Sequence, residues 1–114
     1  MTALQDGTWT TVCPFERLIP NRGAAALIPG NVPVAVFRTQ DDELFAVSNV
    51  DPFSGASVIS RGIVGDRGGV PVVVSPVYKQ AFDLHTGVCV EDPAVSVTTY
   101  PVRLDDGMVS VNSP

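Results

Sequence analysis

The chain has 114 residues, 45% of them hydrophobic, with ten Gly, ten Pro, two Cys and a formal net charge of −5 at pH 7. That length supports a single domain over 1–114 burying roughly 65% of its unfolded surface, and the apolar share excludes a disordered chain. With a pI of about 4.5 and basic residues spread along the chain, neither nucleic acid nor an anionic membrane surface finds the concentrated basic face it requires.

Met1 to Trp9 has neither a basic start nor an apolar core, so no signal peptide is expected there. No apolar run approaches the ~18 residues of a membrane span, and a cytoplasmic location follows as the expectation. Thr8 to Val12 reads as a first strand, followed by a short turn or single helical turn over Pro14 to Leu18. Ala24 to Ile28 and Val32 to Thr39 form a pair broken by Pro29-Gly30-Asn31. Within the second run Val34 and Val36 share one face, and Ala35 and Phe37 the other. Gln40 to Glu43 is a polar turn, and Leu44 to Ser48 returns as the next strand.

Gly62 to Gly69 reads as a polar loop, and the Val-rich run Val70 to Val74 as a buried strand whose start tolerates Pro71. Ala81 to Leu84 is a short strand ending at His85-Thr86-Gly87. Val95 to Leu104 and Met108 to Val111 flank Asp105-Asp106-Gly107, the clearest hairpin signal in the chain. No segment carries a helical stripe over three turns, so the fold class is all-β, roughly eight to ten short, mainly antiparallel strands in a barrel or sandwich. Cys13 and Cys89 read as free buried thiols, with a disulfide as the alternative.

Two proline-centred loops stand out, Asp51-Pro52-Phe53 and Ser75-Pro76-Val77-Tyr78. Each closes an apolar run. Their order, with the Phe82-Asp83-Leu84-His85-Thr86-Gly87 turn behind them, resembles the Rieske [2Fe–2S] domain, which has Cys-x-His in the first loop and Cys-x-x-His in the second. Asp51 and Phe53 then stand where the first Cys and His belong, and Ser75 and Tyr78 where the second pair belongs. A Rieske centre needs two thiolates and two imidazoles. This chain has one His, and both cysteines fall outside the loops. No cofactor is therefore expected in this chain, and a ferredoxin-like electron carrier is disfavoured.

The sequence is similar, more narrowly, to the small subunit of assimilatory NAD(P)H-dependent nitrite reductase. The likeness lies in Trp9 with Val12-Cys13, Asn49 to Phe53, Ser60 to Asp66, Ser75 to Gln80 and Thr86 to Asp92. The resemblance implies a non-redox accessory subunit, with catalysis only in complex with a large subunit that carries FAD, iron–sulfur and sirohaem groups and reduces nitrite to ammonium in nitrate assimilation. A free-standing β interaction module is the alternative.

Single residues have plainer readings too. Asp51-Pro52 is a common turn starter. Phe53 is either a plug for the space a cluster would fill or an exposed anchor, and Tyr78 could fill that space while its hydroxyl meets a polar partner. His85 beside Thr-Gly reads as a surface residue. Asp41-Asp42-Glu43 and Asp105-Asp106 lack calcium-loop spacing and read as solvated turns, while Gly65 to Gly69 lacks the strand-to-helix setting of a phosphate loop. Arg61, Lys79 and Gln80 flank the two loops. With Asp51, Pro52, Phe53, Ser54, Ser75, Pro76 and Tyr78 they form the expected docking surface for the catalytic subunit.

Overall fold

The computed structural model describes residues 8–113, so the expectation for the chain start lies largely outside the described residues. Ten strands run in order: β1 Thr8–Pro14, β2 Arg22–Ile28, β3 Val32–Arg38, β4 Leu44–Ser48, β5 Ile63–Arg67, β6 Val70–Val74, β7 Ala81–Asp83, β8 Thr99–Tyr100, β9 Val102–Asp105 and β10 Met108–Ser113. Single 3-10 turns occupy Phe15–Arg17 and Ile59–Arg61. All strand pairing is antiparallel.

The organising element is β3, whose central residues Val34 to Phe37 are buried on both faces. Val34 and Val36 face a cluster with Leu18, Ile28, Ala46, Val109 and Val111. Ala35 and Phe37 face a second cluster with Val47, Ile59, Val73, Phe82, Leu84 and Cys89. A strand buried on both faces must lie in a middle layer. The central sheet, β2-β3-β4-β8, accordingly has β1-β10-β9 over one face and β5-β6-β7 over the other. The three sheets do not close into a barrel.

Two segments depart from the sequence reading. Gly62 to Gly69 is not one loop: Ile63–Arg67 pairs residue by residue with Val70–Val74. The turn is Gly68-Gly69, with φ of 61° and 90°, the positive-φ pair a two-residue hairpin needs. The polar residues that suggested a loop lie on an edge strand, where solvent takes one side. Val95 to Leu104 is likewise not one strand. Thr99–Tyr100 pairs with β4 in the central sheet, and after Pro101 the chain joins β10 in another. Proline lacks the N–H a continuing ladder requires, so the crossing falls there. The Asp105-Gly107 hairpin forms as expected, Asp106 and Gly107 taking φ of 53° and 77°.

Both cysteines are free thiols in different clusters, Cys89 within the one and Cys13 beside the other, so the disulfide alternative is not formed. Burial pushes the Cys13 thiol above its ordinary value.

Gly23 on β2 locks the second 3-10 turn to the central sheet, because a Cβ there would lie 2.5 Å from the Phe37 ring and 2.7 Å from the Ser60 carbonyl oxygen. Gly23→Ala is expected to cost about 1–3 kcal/mol in denaturant unfolding. Gly65→Ala, whose added Cβ meets nothing within 4 Å, should instead be neutral or stabilise by roughly 0.5 kcal/mol.

Candidate functional site: a loop tip tied by a buried carboxyl

The first loop leaves β4 and the second leaves β6. In the first, the Asp51 N–H donates to the Ala56 carbonyl at 2.8 Å and the Gly55 N–H returns to the Asp51 carbonyl at 2.7 Å. Gly55 takes φ of 77°, which closes this turn. In the second, the Ser75 N–H donates to the Gln80 carbonyl at 2.9 Å and the Lys79 N–H to the Ser75 carbonyl at 3.1 Å. Lys79 adopts a left-handed φ of 64°, costly for a long side chain and maintained here by that closure.

The two loops meet through Asp51 and Ser75, both fully buried. The Ser75 hydroxyl donates to Asp51 Oδ2. Asp51 Oδ1 accepts the N–H groups of Phe53 at 2.8 Å and Ser54 at 3.4 Å. Ser75 Oγ in turn lies 3.4 Å from the Val77 N–H. A carboxyl can be buried when its oxygens are met by donors in this way. Asn49 braces the base, its Oδ1 accepting the Ser60 N–H at 2.7 Å.

Phe53 packs inward against the second cluster, its ring centroid 6.2 Å from that of Phe82. It is the plug of the two readings considered. Tyr78 is 57% exposed and fills no interior space, contrary to the alternative that it too occupies the cluster position. Beside it Val77 is exposed, as is Ile63, the β5 neighbour of Val74. Val77 lies within the Ser75 to Gln80 stretch expected at the docking surface, whereas Ile63 was not among the expected surface residues. Pro52, Arg61, Pro76 and Lys79 are exposed, and neither Arg61 nor Lys79 forms an ion pair among the described residues. Gln80 is half-buried, with its Oε1 meeting no donor among the described residues.

At the base of the second loop, Glu91 Oε1 accepts the Ala81 N–H at 2.8 Å while Oε2 lies 3.3 Å from Arg67. The Ala81 hydrogen bond, helped by Arg67, holds this carboxyl below its ordinary value of 4.5. His85 is exposed, as expected, and sits edge-on to Phe45 at 4.9 Å between ring centroids.

This donor set does not fit a [2Fe–2S] cluster. Of the four positions that match Rieske ligands, two are hydroxyl-bearing Ser75 and Tyr78, a third is the carboxyl of Asp51, and Phe53 has no donor atom. Among the described residues no group of three or more His, Cys, Asp or Glu is placed to hold a metal ion.

Paired proline loops closing two antiparallel sheets define a Rieske-like domain, here one without cluster ligands, and the Rieske-like [2Fe–2S] domain family matches residues 8–112. The NADH nitrite reductase small subunit of Salmonella typhimurium is 42% identical over 104 residues, covering 90% of this chain and 95% of that one. A solved Mycobacterium tuberculosis structure, assigned as an NADH-dependent nitrite reductase small subunit, superposes with a TM-score of 0.92 at 52% identity, covering 94% of this chain and 96% of that one. The chain belongs to the nitrite reductase small-subunit family. A further relative, the NAD(P)H nitrite reductase large subunit of Klebsiella oxytoca, is 35% identical over 111 residues, which are 97% of this chain and 11% of that protein.

Asp51→Ala leaves three donors without their acceptor and should lower stability by about 2–4 kcal/mol, whereas Asp51→Asn, which keeps one acceptor oxygen, should cost about 1 kcal/mol. Denaturant titration of both variants with Ser75→Ala tests the coupling. For Glu91 the folded state lies below the unfolded state, so its contribution is present above pH 4.5 and fades as pH falls further. Glu91→Gln should lower the neutral plateau slightly and flatten the acid limb of the stability curve below about pH 4.5.

Proposed function

We propose that this chain is the non-redox small subunit of a cytoplasmic NAD(P)H-dependent nitrite reductase and docks through its loop tip on the large catalytic subunit. Catalysis belongs to the complex, with FAD, iron–sulfur and sirohaem groups in the large subunit and no cofactor in this chain. Nucleic acid and membrane have no part in this reading, in keeping with the acidic balance of the chain.

The observation that carries it is the Ser75–Asp51 hydrogen bond. Two loops that need no metal are fixed by an internal tie, and the tie presents an exposed row of Pro52, Pro76, Val77 and Tyr78 with Arg61 and Lys79 at its margin. An apolar centre carrying an aromatic residue and a charged margin is the usual anatomy of a protein interface. The Klebsiella relative supports the partner, since a domain like this one forms part of a chain named as the large subunit. An electron-carrying role would need a cluster that Asp51, Phe53, Ser75 and Tyr78 do not fit.

Roles within the tip follow from burial. Asp51, Ser75 and Phe53 shape the loops from inside, Pro52, Pro76 and Tyr78 supply contact area, and Arg61, Lys79 and Gln80 supply polar contacts.

Co-purification of this chain with its large subunit tests the proposal. Tyr78→Ala should weaken the complex by about 2 kcal/mol, roughly 30-fold, and the combination Phe53→Ala, Tyr78→Ala and Lys79→Glu should abolish capture with circular dichroism unchanged. Undiminished capture by the folded triple variant would remove the tip from the interface. The purified chain is expected to be colourless, and a visible [2Fe–2S] absorption would overturn the non-redox assignment.

A further inference from the structure

The edges of the three sheets are not alike. An open edge invites pairing with a foreign strand unless it is short, charged, bulged or covered. Strand β1 carries a bulge between Thr11 and Cys13, and β9 carries Arg103 and Asp105. Strand β8 has two residues and β7 three, while β5 ends in Asp66 and Arg67. Over Ala24 to Ile28, β2 has none of these devices. The 3-10 turn Ile59–Arg61 covers its start, where Gly23 abuts Ser60, and leaves the rest open.

The direction of the open backbone groups follows from the register. Pro33 accepts a hydrogen bond from Asn49, and Thr39 donates one to the Glu43 carbonyl, so odd-numbered residues of β3 turn toward β4. Even-numbered residues therefore bond to β2, where they pair with Ala24, Ala26 and Ile28. Ala25 and Leu27 must point their N–H and C=O groups off the edge, and these groups have no partner among the described residues. Pro33 fits this arrangement, since its partner Leu27 asks no N–H of it.

Beside this edge lies an apolar groove of about 350 Å3 lined by Ala25, Ala26, Leu27, Pro33, Asn49 and Ser57. No lining residue is charged. Leu27 is 65% exposed. Asn49 and Ser57 are the two ends of the first tip loop, so the groove continues the docking surface rather than forming a separate site.

We infer that β2 accepts an extended, uncharged segment of the large subunit as an added strand, with one apolar side chain seated in this groove. This rests on the tip reading above. Main-chain hydrogen bonds to Ala25 and Leu27 supply the pairing, and the groove selects an apolar residue at alternate positions of the guest. The tip and the added strand then grip the partner from adjoining sides of one loop.

Hydrogen exchange on the complex of both full-length subunits, read residue by residue, tests this. The Ala25 and Leu27 amides should slow by about tenfold or more on complex formation, while Ala24 and Ala26, already bonded to β3, change far less. Leu27→Asp should weaken the complex by about tenfold with the free chain still folded. Protection at the tip loops with Ala25 and Leu27 exchanging at their free rates would overturn the added strand and leave tip docking standing. Absence of any complex would overturn both. Protection of the same amides in this chain alone, rising with its concentration, would assign the edge to a second copy and overturn the inference.

Discussion

The hydrogen bond from Ser75 to Asp51 is the constraint on which the shape of the loop tip depends. In a domain of this class that carries a cluster, metal ligation ties the two loops together. Here a hydroxyl and a carboxyl make the tie within the chain. A neutral hydrogen bond contributes only about 1 kcal/mol net, but one to a fully buried carboxyl strongly disfavours alternatives, because breaking it strands several polar groups away from water. Phe53 then packs inward beside Phe82, behind the tied loops. Lys79 shows how firmly they are set, since its left-handed backbone persists only where the surrounding closure dictates it.

Much of this was legible in the residues. The alternation of Val34 and Val36 against Ala35 and Phe37 gave the two faces of β3, and composition gave the absence of cluster ligands. The Asp106-Gly107 turn was equally plain, because its chemistry is local. What escaped the sequence was decided by distant partners. Strand β5 is polar and gains its identity only from the Val-rich strand beside it. The run from Val95 to Leu104 looks continuous until the structure sends its two halves into different sheets at Pro101.

The candidate site divides along the same line. Asp51, Phe53, Ser75 and Tyr78 were identifiable by their order along the chain. That Asp51 and Ser75 bond to each other, that Phe53 turns inward and Tyr78 outward, and that Ile63 stands exposed on β5 required the fold. The open edge of β2 was hidden for a subtler reason: strand runs can be read from a sequence, but which strand ends a sheet is a property of the assembled layers.

One feature of the first sheet bears on how such a domain can be wired to others. Strands β1 and β10 pair in antiparallel register, with Thr8 beside Ser113. The two described ends of the polypeptide therefore leave the body side by side, from a sheet that contains neither tip loop nor β2. A domain with adjacent ends can be appended to or inserted in a longer polypeptide without distorting its interior. The Klebsiella protein, in which such a unit forms 11% of a much longer chain, is an arrangement this geometry permits. A unit of this shape can thus stand alone or ride on a covalent tether, a choice that alters local concentration rather than shape.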